Sequence, residues 1–302
     1  MFWLFTQVFS IFFNLQSFYL VYYILNNFIV LWCYDTALFY SLKYASEKSS
    51  LVNQLKIIKQ ETSYILYDAD LIATPTLQLF DHDFQRNYHT NRENQQSNSS
   101  QQGRSTAGIG RARVVYFQQE DLSMVLKHYY RGGLMASVVK DRYVGFDIEK
   151  TRAFKEFRLL GEMKNLGLPV PNAIAARVEK GPFYFRADLI TEEVKNVRTL
   201  AELLSDKMMN VDYWAGVGRC IKAFHNHDVY HADLNARNIL LSEEGEVYLI
   251  DFDNSRVRAA SNAWKFANLA RLKRSLLKFK KNTTGFNFDE ESWLALKAGY
   301  NA

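Results

Sequence analysis

The sequence predicts an α+β chain of two lobes, a small lobe built on a sheet followed by a larger one built on helices. Three observations predict it. Short alternating segments come first, one amphipathic helical pattern lies among them, and the remainder turns mostly helical. With 302 residues, 48% hydrophobic and 23% charged, the chain can bury a full core across two lobes, which excludes a disordered protein. A hairpin pattern around Gly245 has Asp and Asn residues at both of its open ends.

The first element is a hydrophobic extension over residues 1–50. Residues 1–34 contain no Asp, Glu, Lys or Arg, and roughly 20 apolar residues are enough to cross a bilayer. The run is too long for a signal-peptide core and has no basic start. Lys43, Lys48, Lys56 and Lys59 follow it and nothing basic precedes it, so an anchor here would leave the rest of the chain in the cytoplasm. Asn14, Gln16, Asn26 and Asn27 interrupt the run. The same composition also fits upstream DNA translated from a wrongly chosen start, and both readings stand.

The sheet-based lobe is expected over 56–190. "SYILYD" reads as a strand and "ATPTLQLFDHDF" as a turn leading into a helix. The polar run "RNYHTNRENQQSNSSQQGRSTAGIGRAR" reads as a mobile loop feeding a glycine-containing turn. "RVVYF" and "SMVLKHYY" are a strand pair with side chains suited to a half-buried pleated surface. "EKTRAFKEFRLLGEMKNLG" places Ala153, Phe157, Leu160 and Met163 at helical spacing and stops at Gly167. "FYFRADLITEEV" is a strand running into a connection.

The helical lobe is expected over 191–302. "RTLAELLSDK" and "DYWAGVGRCIKAFHNHDV" read as helices, and "ILL", "SEEGE" and "VYLI" as strand, turn and strand. "NAWKFANLARLKRSLLKFKKN" is an amphipathic helix with basic residues spread along it. It is either a membrane-surface helix or a core helix with a solvated face.

Composition narrows the chemistry. Cys33 and Cys220 match neither a disulfide framework nor a zinc ribbon, so a reducing, cytosol-facing compartment fits. A formal charge of +5 favours anionic partners. No aromatic-basic recognition motif accompanies that charge, so nucleic acid is not expected. The hairpin brings Asp233, Asn238 and Asp251 to one edge, because the first two precede its first strand and the third follows its second. Carboxylate and amide oxygens are the ligands that a hard cation such as Mg²⁺ takes alongside phosphate oxygens and water. The remaining carboxylate, Asp233, is then free to accept a proton from an attacking hydroxyl. Capping and turn formation are the ordinary uses of such residues, but three at these separations point to chemistry. His225, His227 and His231 do not share a helical face and no H-E-x-x-H accompanies them, so packing and bracing of the loop are expected in place of zinc ligation.

At this point His231, Asp233, Leu234 and Asn238 resemble the H-x-D-L-x-x-x-N catalytic loop of protein-kinase-like enzymes, and Asp251 with Phe252 resembles the metal-binding D-F-G that follows it. From about Lys56 onward the chain resembles the 3-deoxy-D-manno-octulosonic acid (Kdo) kinases of lipopolysaccharide core assembly. The matching segments are "HYYRGGL", "KDRY", "TRAFKEFRLL", "GLPVPNAIAAR", "ADLITE", "HADLNARNILL", "LIDFDNS" and "NLARLKRS".

That resemblance implies a bilobal protein-kinase-like fold with ATP between the lobes, Asp233 as the catalytic base, and Asn238 and Asp251 as Mg²⁺ ligands. Lys127 looks like the strand lysine that pairs with nucleotide phosphates, and Glu156 like the helix glutamate that orients it. Gly108 and Gly110 are the candidates to let the backbone approach the phosphates, although no clean G-x-G-x-x-G is present. Arg131, Arg142 and Arg152 are candidates for contact with an anionic sugar acid, since a guanidinium matches a carboxylate. The implied acceptor is the Kdo residue of a Kdo-lipid A precursor, phosphorylated at its 4-hydroxyl on the cytoplasmic side of a bacterial inner membrane. An anionic membrane surface is an implied contact and no obligate protein partner is implied. Asp253 departs from the pattern by standing where most protein kinases have the glycine of D-F-G. The alternatives are a kinase acting on another hydroxyl acceptor, heptose or aminoglycoside-type, and a catalytically silent binding protein that keeps the fold.

Overall fold

The computed structural model describes residues 55–83, 85, 112–119, 121–129, 147–181 and 185–302. The hydrophobic extension over 1–50, most of the polar run before Ala112, and Gly108, Gly110, Arg131 and Arg142 lie outside the described residues.

The first part is a six-stranded sheet. Its strands are β1 (Leu55–Gln60), β2 (Ser63–Asp68), β3 (Ala112–Gln119), β4 (Leu122–Tyr129), β5 (Ala173–Lys180) and β6 (Phe185–Glu192), in the order β1-β2-β5-β6-β4-β3. β2–β5, β5–β6, β4–β6 and β3–β4 pair antiparallel. One face is a core of Ile65, Tyr67, Val115, Phe117, Met124, Leu126 and Ile190, closed by Leu79 and Phe80. Those last two belong to a four-residue 3₁₀ turn, Leu77–Phe80. The segment expected to lead from a turn into a helix is therefore held mainly as this turn, which sets two bulky side chains onto the sheet.

On the same sheet α1 (Arg152–Asn165) packs against β5 and β6. Its Ala153, Phe157, Leu160 and Met163 are buried as their spacing predicts, together with Phe154 and Leu159. Gly167, at φ +71°, ends the helix in the left-handed region that favours glycine. β5 was not legible as a strand: "AIAA" is poor in the β-branched and aromatic residues that mark strands. Ala173, Ala175 and Ala176 are buried there, at the centre of the sheet, with Ala175 in the core closed by Leu79 and Phe80.

The second part is mainly helical, with β7 (Val197–Thr199), α2 (Leu200–Asp206), α3 (Val211–Asn226), β8 (Val229–Tyr230), β9 (Ile239–Ser242), β10 (Val247–Leu249), β11 (Arg256–Val257), α4 (Asn262–Asn282) and α5 (Glu290–Asn301). The N-terminus of α2 carries a capping box, with Thr199 accepting from the Glu202 N–H and the Glu202 carboxylate accepting from the Thr199 N–H. α3 and α5 pack backbone to backbone. A Cβ on Gly218 would lie 2.1 Å from the Leu296 carbonyl oxygen, and one on Gly299 would lie 2.1 Å from that of Ala215. Only glycine permits that approach. β9 and β10 form the expected hairpin, with Leu249 opposite Ile239, and β7 extends it on the β9 side.

Among the described residues no helix is long and apolar enough to cross a membrane.

Candidate active site

The β9–β10 hairpin does what its pattern predicts. The Ile250 N–H donates to the Asn238 carbonyl at 3.1 Å, continuing the ladder beyond Leu249 and Ile239. Asn238 and Asp251 are thereby set side by side at the open end. The Asn238 amide N–H donates to the Asp233 carbonyl oxygen at 2.9 Å, which ties the loop carrying Asp233 to the same end.

Behind the loop, His231 locks its shape. Its Nε2–H donates to the Ile250 carbonyl at 3.0 Å, and its Nδ1 accepts from the Asp233 N–H at 3.2 Å. Both ring nitrogens are therefore engaged in the neutral form. Burial lowers the His231 pKa below the ordinary histidine value, outweighing the backbone hydrogen bond and the neighbouring carboxylates. The ring packs on Phe252, which stacks on Phe224 of α3.

Asn268 on α4 was not singled out by the sequence reading. It is 1% exposed, donates to the His231 carbonyl at 2.9 Å, and accepts from the His231 N–H and from His225 Nε2–H, both at 3.3 Å. His225 Nδ1 completes the chain by accepting from the Tyr300 hydroxyl at 2.8 Å. One side chain on α4 thus fastens the loop that carries Asp233 to α3, and through His225 to α5. An asparagine in a basic amphipathic pattern gives no local sign of this, because its partners lie 37 and 43 residues away. Ser275, two turns further on, does the same for the far side of the loop by accepting from the Ala236 N–H at 3.3 Å.

Lys127 of β4 sits at the centre of the charges. Its Nζ lies 3.1 and 3.0 Å from the two Glu156 oxygens and 2.6 Å from Asp251 Oδ1. Burial alone would lower its pKa, but Glu156 and Asp251 outweigh that and hold the ammonium above the ordinary lysine value. For Asp251, burial raises the carboxyl while Lys127 draws it down more strongly, so it stays ionised. Glu156 is pushed up by burial and by the Asp251 charge against the pull of Lys127. It accepts from Lys127, the Tyr129 hydroxyl and the Phe252 N–H.

Glu156 therefore joins three elements: strand β4, helix α1 and the segment after β10. Arg152, one turn before it on α1, pairs with Asp253 through Nε to Oδ1 at 2.8 Å and through a second contact to Oδ2. Arg152 was read as an acceptor contact, and here its guanidinium is held by that carboxylate and lies over the Tyr129 ring.

This pairing also accounts for the Asp at the usual glycine position. The left-handed backbone falls on Asp251 (φ 63°) and Asn254 (φ 58°), not on Asp253. Glycine's freedom is not needed at residue 253, and the carboxylate there ties the segment to α1. Asp251 itself adopts a conformation that costs an L-residue about 1–2 kcal/mol, the kind of strain that collects at functional sites.

Asp233 faces outward, its side chain 58% exposed. Asn235 donates to its Oδ2 at 3.1 Å. Arg271 of α4 approaches Oδ1 at 3.3 Å.

His225, His227 and His231 do not converge on a point: His227 caps the end of α3 and the other two meet on Asn268. Among the described residues a different group, His82, His128 and Asp188, brings its ligand atoms within 4.8 Å of one another. There the fully buried Asp188 carboxylate already accepts from Arg177 at 2.9 Å and contacts His128 Nδ1 at 2.5 Å. Cys220 is buried, its thiol pushed up to about 12 by desolvation, which is the profile of an unreactive cysteine.

Residues 96–300 match the lipopolysaccharide kinase (Kdo/WaaP) family. The 3-deoxy-D-manno-octulosonic acid kinase of Actinobacillus succinogenes is 41% identical over 207 residues, covering 66% of this chain and 85% of its own length. The enzyme of the same name from Vibrio cholerae is 39% identical over 194 residues, covering 64% and 81% respectively. Among solved structures, WaaP in complex with acyl carrier protein superposes with a TM-score of 0.46 at 17% identity, covering 66% of this chain and 78% of that one.

Proposed function

Because the chain belongs to the lipopolysaccharide kinase (Kdo/WaaP) family, we propose that it transfers the γ-phosphoryl group of ATP to the 4-hydroxyl of the Kdo residue of a Kdo-lipid A precursor. The reaction takes place on the cytoplasmic face of the bacterial inner membrane. The observation that carries the reading is Lys127, shared between Glu156 and Asp251 beside a loop that presents Asp233 outward.

The residues at the hairpin edge fit a nucleotide-bound Mg²⁺. Asn238 engages its amide N–H on Asp233, which turns its other end, an oxygen, to the site. Asp251 is an ionised carboxylate whose side chain is 42% exposed, and together they form an all-oxygen donor set. When bound there, the ion offsets negative charge on the phosphates. Lys127 supplies a second positive centre, kept charged and in place by Glu156.

The acceptor hydroxyl approaches from the side on which Asp233 is exposed. The bond from that oxygen to the γ-phosphorus forms as the bond to the bridging oxygen of ADP breaks, and the hydroxyl proton passes to the Asp233 carboxylate. Asn235 and Arg271 hold the two oxygens of that carboxylate in position. Asp233 is kept in line by His231 and Asn268, which act through the backbone and touch no substrate.

The test is incubation of the protein with radiolabelled ATP, Mg²⁺ and purified Kdo-lipid acceptor, alongside heptose and aminoglycoside acceptors. Label on the Kdo-lipid at its 4-position is the expected result. Transfer only to heptose would overturn the Kdo assignment, and no transfer to any acceptor would overturn the catalytic reading.

A further inference from the structure

We propose that the exposed face of α4 is a docking surface for an anionic lipid bilayer, and that it sets Asp233 at the lipid surface where a membrane-borne acceptor stands. The proposal takes its purpose from the function above, while its binding chemistry stands on separate observations.

The helix has two faces with different work. Trp264, Asn268, Leu269, Leu272 and Leu276 are buried, and from this side Asn268 and Ser275 hold the backbone of the loop that carries Asp233. The opposite side points to solvent. Phe266 and Leu277 on it are 65% and 49% exposed. They are three turns apart on one stripe, with the exposed Ala270 between them and the exposed Arg274, Lys278, Lys280 and Lys281 alongside.

From Asn262 to Asn282 the helix carries no Asp or Glu. Two of its lysines have acidic partners elsewhere, Lys265 with Asp228 at 3.2 Å and Lys273 with Glu290 at 3.0 Å. Arg274, Lys278 and Lys281 have no acidic partner among the described residues. Large apolar side chains ringed by unneutralised cations are the pattern that partitions into the interface of an anionic bilayer, the apolar groups entering the headgroup boundary and the cations pairing with phosphates. A nucleic acid or other polyanion would use the cations but would leave Phe266 and Leu277 without a role.

Arg271 stands at the border of the exposed face and reaches Asp233 Oδ1, so whatever covers this face comes within one side chain of the base.

The test is vesicle flotation of the full chain, with no ATP and no acceptor present. It uses neutral phosphatidylcholine vesicles and vesicles of equal parts phosphatidylcholine and phosphatidylglycerol. The charge-free residues 1–34 would bind both kinds alike, so the readout is the preference for the anionic vesicles. The expected result is a clear preference that falls about 25-fold in Arg274→Gln/Lys281→Gln, at roughly fivefold per cation removed. It also falls in Phe266→Ser/Leu277→Ser, with melting temperatures unchanged in both variants. Absence of the preference in the unmodified chain, or its persistence in the first variant, would overturn the proposal. A second variant that binds heparin and anionic vesicles as the unmodified chain does would show a general polyanion face, which also overturns it. Loss of phosphoryl transfer to Kdo-lipid with vesicle preference intact would count against the function alone.

Discussion

Glu156→Gln is the perturbation whose cost the structure defines most closely. The carboxylate is 4% exposed and every neighbour is a donor: Lys127 to both oxygens, the Tyr129 hydroxyl to one and the Phe252 N–H at 3.1 Å to the other. A glutamine of the same shape offers one oxygen and one NH₂, so in either orientation a donor meets a donor. An orphaned buried donor costs about 1–3 kcal/mol, and removing one partner of a buried ion pair costs about 3–5 kcal/mol. Lys127 keeps Asp251 at 2.6 Å, so the two costs overlap and the loss stays near the low end of the ion-pair range, at about 3 kcal/mol. In urea unfolding, with a slope of ~3 kcal/mol per molar, the midpoint falls by about 1 M. Lys127 then turns wholly toward Asp251, and nucleotide affinity falls with it. The double variant Lys127→Met/Glu156→Gln removes the orphaned charge and loses about 1–3 kcal/mol less than the sum of the single variants. A midpoint shift under about 0.2 M, with nucleotide affinity unchanged, would refute the role assigned to Glu156.

Two further perturbations test the framework behind the site. Gly218→Ala places a methyl group against the backbone of α5 and forces the helices apart; thermal unfolding should show a loss of about 3 kcal/mol, at the upper end for overpacking, and an unchanged melting temperature would contradict the close approach. Burial depresses the folded-state pKa of His225 from 6.5 to about 4. The unfolded chain then binds the extra proton between those values, so stability is complete above pH 6.5 and is lost as pH falls toward 4, by about 3 kcal/mol. His225→Asn should flatten the melting-temperature profile across that window, and an identical slope in the variant would rule the histidine out as its source.

What could be read from the residues alone divides along physical lines. α1 announced itself through Ala153, Phe157, Leu160 and Met163 and through its stop at Gly167, because one helix face is a local pattern. The same holds for the β9–β10 hairpin, whose two-residue period and turn lie within a dozen positions, and it placed Asn238 beside Asp251 without help from any distant segment. β5 was hidden because its alanines are buried at the centre of the sheet, a tertiary setting that strand propensity does not signal. α5 stayed silent because its contact with α3 depends on two glycines 81 positions apart, Gly218 and Gly299. The positioning residues were the least legible. Asn268 and Arg271 sit in a helix whose sequence speaks of amphipathicity, and only the tertiary fold brings them to His231 and Asp233. Arg152 shows the same limit, since the fold gives this candidate acceptor contact a partner, Asp253, 101 residues away.

The most direct measurement of the central claim is the turnover of Asp233→Ala on Kdo-lipid acceptor, with nucleotide affinity measured on the same sample. Loss of the proposed base should lower turnover roughly 10²–10⁴-fold while ATP binding, which the proposal assigns to Lys127, Asn238 and Asp251, is retained. Turnover equal to that of the unmodified protein would contradict the account.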